Sequence, residues 1–230
     1  MEIKVASVDS VIIYFDKSIS KEISNKVKAS YAHLKSLKNE AFIDIIPSYS
    51  SILISYQLLK YDFETIKSYL EEELKNIKVD EESNSKLVEI DVYYGEDVGL
   101  DLQRVATINN ITCEEVISLH SSKVYDVYTI GFLPGFAYLG VVDEKIATKR
   151  LETPRKKIPK GSVSIADTQT AVYPKDSPGG WNIIGKTAFE FFDKNLEQLS
   201  QIDINTKIKF NPITKEEFLK QGGTLWEALN

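Results

Sequence analysis

The chain has 230 residues, 43% hydrophobic and 27% charged, with a formal net charge of −6. That length accommodates one large domain or two modest ones, each with its own core, and the acid excess argues against nucleic acid as the main partner. The one cysteine, Cys113, excludes an internal disulfide, and the two histidines, His33 and His120, give no basis for a thiol- or imidazole-built metal site.

No run approaches the roughly 20 apolar residues that span a bilayer. The N-terminal stretch MEIKVASVDSVIIYFD has acidic residues on both sides of a short apolar run and reads as strand rather than signal peptide. The expectation is a cytoplasmic protein without membrane contact. Within that stretch, VIIYFD (Val11–Asp16) is β-branched and aromatic and suits a strand. Ile23, Val27, Tyr31 and Leu34 then recur at helical spacing, with Ser20 placed to cap the helix and His33 among its surface lysines. AFIDIIPSYSSILISYQ predicts two strands turning near Pro47–Ser51, and FETIKSYLEEELKNI a second amphipathic helix. The sum is a β-α-β-β-α unit, a split βαβ arrangement, over residues 1–80. A polar run without periodicity, Lys78–Lys86, reads as a linker to a second domain over 81–230.

That domain opens with a strand in LVEIDVYYG and two short helices, GLDLQRVATINN and TCEEVISLHSS, the second with Thr112 and Glu115 spaced as a capping box. From Tyr125 onward, short strand-like segments alternate with Gly/Pro turns: YDVYTIGF, GSVSIAD, TAVYP, WNIIGKTAFEFF and KIKFNPI. This spacing predicts a β-barrel or sandwich with long loops.

Gly180–Thr187 spells G-x-x-x-x-G-K-T, the pattern of a phosphate-cradling loop. A functional one turns through small residues and opens a helix. Here the interior is Trp181, Asn182, Ile183 and Ile184, and the sequel AFEFFD is strand-like, so the stretch reads as a Gly-Gly turn entering a barrel strand. Three other stretches carry candidate chemistry. GFLPGFAYLG presents Phe132, Phe136 and Tyr138, which either line a pocket or cap the barrel. KRLETPRKKIPKG sets six cations against one carboxylate and is either a solvated basic loop or a presenter of Arg155 to a carboxylate or phosphate. DTQTAVYP places Gln169 and Thr170 either in a cleft or in turn hydrogen bonds. His120 closes its helix, where it interacts with the dipole or acts as a general base.

In their order, EEVISLH, VYTIGFLPGFAYLG, the R-x4-R of RLETPR, IPKGSVSIADTQTAVYP and SPGGWNIIGKT resemble the allophanate hydrolase subunit 1 family, which includes the B component of bacterial 5-oxoprolinase and Kip-type inhibitors of a histidine kinase. The resemblance implies an α+β architecture, a small α/β N-terminal domain followed by a cyclophilin-like β-barrel. It also implies kinship with the carboxyltransferase region of urea carboxylase. It implies partnership with a subunit 2 protein and a lactam-utilisation subunit, in an assembly that uses ATP to open 5-oxoproline to L-glutamate, with no ATP site assigned to this chain. The implied site comprises His120 for proton transfer, Arg155 and Lys186 for anion contacts, and Gln169 and Tyr173 for orientation, with Phe136, Tyr138 and Thr170 as further substrate- or partner-binding residues. The alternative function within the family is inhibition of a sensor histidine kinase by binding. Relatives commonly carry glycine where this chain has Asp167 and Ala171, and Gly-Arg-Thr where it has Gly185-Lys186-Thr187.

Overall fold

The computed structural model describes all residues except 19, 80–84, 194, 196–199 and 227–230. Two units separate, Met1–Asn84 and Ser85–Asn230. Most of the expected linker, residues 80–84, lies outside the described residues.

The first unit runs β1 (Glu2–Ser7), β2 (Ser10–Tyr14), α1 (Lys21–Ser36), β3 (Phe42–Pro47), β4 (Ser51–Tyr56) and α2 (Phe63–Leu74). Its sheet order is β1-β2-β4-β3 with antiparallel neighbours throughout, so β4 lies between the parallel pair β2 and β3. That is the split βαβ arrangement. The N-terminal stretch forms a hairpin rather than one strand, because Val8 and Asp9 turn the chain and add β1 at the sheet edge. Each helix begins where the sequence supplies an acceptor: Ser20 Oγ takes the Ile23 N–H and Asp62 Oδ1 takes the Thr65 N–H. Val27 and Leu34 of α1 and Ile66 and Leu70 of α2 bury against Ile13, Ile52 and Ile54. Full burial of each such side chain contributes about 2 kcal/mol before entropy. His33 is partly buried, with Nε2 2.8 Å from Glu73 Oε2, and ties α1 to α2.

The second unit continues with β5 (Lys86–Val92), α3 (Leu102–Asn109), α4 (Cys113–Ser121), β6 (Val124–Ile130), β7 (Ala137–Leu139), a 3-10 turn (Glu144–Ile146), β8 (Arg155–Ile158), β9 (Ser162–Ala166), β10 (Gln169–Val172), β11 (Ser177–Gly179), β12 (Asn182–Lys186), β13 (Thr206–Pro212) and α5 (Lys215–Lys220). Seven strands form one sheet in the order β12-β9-β10-β7-β6-β13-β5. The sheet curls until its ends meet, and Tyr93, just beyond β5, exchanges both backbone hydrogen bonds with Lys186 of β12. Its concave face holds Val127, Leu139, Val163, Ile165, Val172, Ile184 and Phe210, covered by Leu102 and Val105 of α3 and Val116 of α4. The opposite face of β7, β9, β10 and β12 holds a smaller cluster of Phe136, Ala166, Ala171, Tyr173, Trp181 and Ile183, joined by Ile158 of β8. Among the described residues no helix is long and apolar enough to cross a membrane.

The Gly180–Thr187 stretch builds β12, with all of Asn182–Lys186 buried. Its backbone pairs with β9 and, at Lys186, with Tyr93, so it presents no ring of free N–H groups to a phosphate. Gly185 is required there for close approach, since a Cβ would lie 2.8 Å from the Tyr93 carbonyl oxygen. The GFLPGFAYLG stretch ends in the three-residue strand β7, and the basic run contributes β8 to a two-stranded ribbon with β11.

Candidate functional site

The residues singled out in the sequence fall into three groups. The first is the interior group around His120, which projects from the last turn of α4 and is fully buried. Its Nε2 is 2.8 Å from Thr170 Oγ1, and its Nδ1 is 2.8 Å from the Tyr94 hydroxyl. The single Thr170 hydroxyl proton goes to the Ser164 carbonyl at 2.9 Å. Nε2 therefore carries the imidazole proton and donates it to Thr170, while Nδ1 accepts from Tyr94. Phe210 stacks on the ring at 4.7 Å. Burial pushes the imidazole pKa down to about 3, so the ring is neutral at physiological pH. A neutral ring gives no cationic interaction with the helix dipole, and the sequence expectation of that role does not hold. As arranged, His120 is a strut joining α4, β10 and the chain after β5, with both nitrogens occupied.

The second group is a set of braces. Asp101 is the N-cap residue of α3 but makes no side-chain cap bond. Its carboxylate instead accepts from both Nη atoms of Arg155, each at 2.8 Å, and from the Ile183 N–H. Arg155 thus has its bidentate face filled from within the chain, and the sequence expectation that it presents that face to an external anion gives way to this pairing. Lys186 is buried, and its Nζ donates to the Thr224 carbonyl and hydroxyl, at 2.6 and 2.9 Å. Desolvation lowers its pKa, opposed by the charge of Asp176.

The third group is the outer aromatic face. Phe136 meets Tyr173 and Trp181 edge-on, with ring centroids 5.2 and 5.9 Å apart, and lies 4.8 Å from Tyr138. Tyr173 is buried and its hydroxyl pKa is pushed up to about 12 by desolvation, opposed by the Trp181 N–H and by the Arg150 charge. Gln169 starts β10 on this same side, whereas Thr170 turns inward to His120. Ala171 stands directly opposite Tyr138 across β10 and β7.

Two strained backbones frame this face. Phe132 has φ of 70° and is 62% exposed, edge-on to Phe136, and Asp167 has φ of 53°. Both are in the left-handed region that favours glycine. Gly135 of the same loop has φ of 81°, and a Cβ there would meet Phe192 Cβ at 2.8 Å.

Sequence reasoning missed Asp101, Arg104 and Asn182. Arg104 Nη1 donates to Asn182 Oδ1 at 2.7 Å, and Asn182 Nδ2 donates to the Lys149 and Ile165 carbonyls, each at 3.0 Å. The only local signal was a polar residue, Asn182, inside an otherwise apolar strand. Among the described residues no cluster of His, Cys, Asp and Glu is arranged to hold a metal.

Residues 1–202 match the family described as carboxyltransferase domain, subdomains C and D. The B component of 5-oxoprolinase from Bacillus subtilis (strain 168) is 36% identical over 219 residues, which cover 91% of this chain and 91% of that protein. Among solved structures, the conserved uncharacterized protein PH0987 from Pyrococcus horikoshii is 40% identical and matched over 94% of this chain and 100% of its own, with a TM-score of 0.57. TTHA0988 is 27% identical with a TM-score of 0.79 over 89% of this chain, which spans 40% of that longer chain.

Proposed function

We propose a function from one premise: the chain belongs to the allophanate hydrolase subunit 1 family, the family of the 5-oxoprolinase B component. It acts as a subunit of an ATP-dependent 5-oxoprolinase that opens the lactam of 5-oxoproline to L-glutamate, together with a subunit 2 protein and a lactam-utilisation subunit. The observation that carries this reading is the end-to-end likeness to the B component from Bacillus subtilis.

An unstrained five-membered lactam resists hydrolysis at neutral pH. ATP, used at the level of the assembly, activates the carbonyl oxygen so that water attack becomes feasible. The task left to this chain is to bind and orient an anionic ring compound and to favour charge developing on oxygen. The outer face is suited to that task. Tyr138 and Gln169 stand there partly exposed, Phe136, Tyr173 and Trp181 form an apolar floor, and two left-handed residues hold its edges. His120 and Thr170 position β10 from behind, and the Arg155–Asp101 pair fixes β8 against β12.

The test is reconstitution. The chain co-expressed with both partner subunits releases glutamate from 5-oxoproline only when ATP is present. Absence of release, with all three subunits folded, overturns the reading. Tight binding of a sensor histidine kinase by the purified chain, with arrest of its autophosphorylation, would move the assignment to the inhibitor branch of the family.

A further inference from the structure

Arg150 and Arg155 are the two arginines of the R-x4-R pattern, and the structure treats them differently. Both Nη atoms of Arg155 are held by Asp101. The Arg150 side chain is 59% exposed, its Nη atoms make no hydrogen bond among the described residues, and Nε makes only a loose 3.9 Å contact with Asp167. Its guanidinium carbon lies 5.6 Å from the centroid of the Trp181 ring, the placement in which an aromatic face steadies a cation.

The backbone that carries Arg150 is fastened at three positions around it. Thr148 exchanges both backbone hydrogen bonds with Asp167, the Lys149 carbonyl accepts from Asn182 Nδ2, and the Leu151 N–H donates to the Gly180 carbonyl at 2.7 Å. Gly180 and Asn182 flank Trp181, so two of these anchors bracket the ring on which Arg150 rests. Arg104 of α3 in turn holds Asn182. A surface arginine in a solvated loop needs no such support. This one has its backbone fixed, its guanidinium over an indole ring and its fork open among the described residues, which is the preorganisation that bidentate oxyanion binding exploits.

We propose that Arg150 binds the carboxylate of a small cyclic acid against Trp181 and that Asp167 is its internal competitor in the free chain. The carboxylate is that of 5-oxoproline, which rests on the function proposed above. The Asp167 contact is long and both partners are exposed, so displacing it costs little. Lys149 and Lys156 are exposed in the same basic run, whose six cations against one carboxylate give it a net attraction for anions.

Calorimetric titration of the full chain tests this without requiring turnover. The probes are 5-oxoproline, its carboxamide and inorganic phosphate. The acid binds at least about tenfold more tightly than the carboxamide, as expected for a charge-assisted bidentate contact. Arg150→Ala abolishes that preference without shifting the denaturation midpoint, Arg150→Lys restores part of it, and Asp167→Asn strengthens binding of the acid by about two- to threefold. Survival of the preference in Arg150→Ala, or phosphate binding as tightly as the acid, overturns the proposal. In the reconstituted assembly, Arg150→Ala raises KM for 5-oxoproline much more than it lowers kcat. A wild-type assembly that releases no glutamate refutes the functional reading alone, since the titration still reports on Arg150.

Discussion

Thr170 and Gln169 are neighbours on β10 and face opposite sides of one sheet. Thr170 looks into the curled interior, where it, His120, Tyr94 and Ser164 form a hydrogen-bond chain with each proton assigned. Gln169 looks out to the side that carries Tyr138, Trp181 and Arg150, where a cation keeps its Nη atoms open among the described residues. The few polar groups in this otherwise apolar interior tie strands and helices together, and each needs a partner once water is gone. The outer side holds strained turns and an unfilled donor set, features that stabilise nothing by themselves. A residue that binds something else must have unspent hydrogen-bonding capacity, and that criterion separates Arg150 from Arg155 although both lie in one motif.

The largest effect that would sharpen this contrast is in the interior. His120→Ala leaves a cavity and an unpaired Tyr94 hydroxyl and should cost about 4 kcal/mol by denaturant titration. Acid probes the same point. The folded imidazole pKa is depressed to about 3 while the unfolded one is near its ordinary value of 6.5. Between those values the unfolded chain binds the extra proton, so stability falls as pH falls, with a slope from this residue approaching about 1.4 kcal/mol per pH unit. Denaturation midpoints of His120→Gln across that window should lack this component of the slope.

Next in size, Arg155→Ala strands the buried Asp101 carboxylate. It should cost about 2 kcal/mol, less than a fully buried pair because the guanidinium side chain is 27% exposed. Asp101→Asn keeps the shape and should cost less. The smallest effect belongs to the outer turn: Asp167→Gly relieves a left-handed backbone and should raise stability by up to about 1 kcal/mol in a thermal melt. An equal or larger loss of stability at Arg150→Ala would erase the distinction between the two faces.

Much of the first unit was legible in the sequence. Ile23, Val27, Tyr31 and Leu34 mark the buried side of α1 because a helix repeats its faces at that spacing, and Ser20 caps α1 as expected, whereas the Asp62 cap of α2 was not read in advance. The capping box of Thr112 and Glu115 forms as its spacing predicts. In the second unit, the five strand-like segments supplied β6, β9, β10, β12 and β13, but WNIIGKTAFEFF is strand only over Asn182–Lys186 and its AFEFF half forms no strand, while β7, β8 and β11 were not legible. Those strands have three or four residues, too few to show an alternation, and long-range partners stabilise them. The GKT spelling was resolved by the bulk of Trp181 and two isoleucines, which cannot line a phosphate nest, and by a sequel without an amphipathic helix.

The site was legible as a set of motifs but not as a division of labour. His120 and Thr170 are separated by 50 positions and meet only through the curl of the sheet. Nothing within KRLETPRKKIPKG distinguishes Arg150 from Arg155, because the difference lies in Asp101 and Trp181, which come from the start of α3 and the approach to β12.

The most direct test of the account measures stability and KM side by side for Arg150→Ala and Arg155→Ala in the reconstituted assembly. The expected losses do not overlap: Arg150→Ala raises KM about tenfold or more at an unchanged denaturation midpoint, and Arg155→Ala lowers the midpoint while KM stays within about threefold once the protein is folded. A raised KM at full stability for Arg155→Ala, with Arg150→Ala silent, would contradict it.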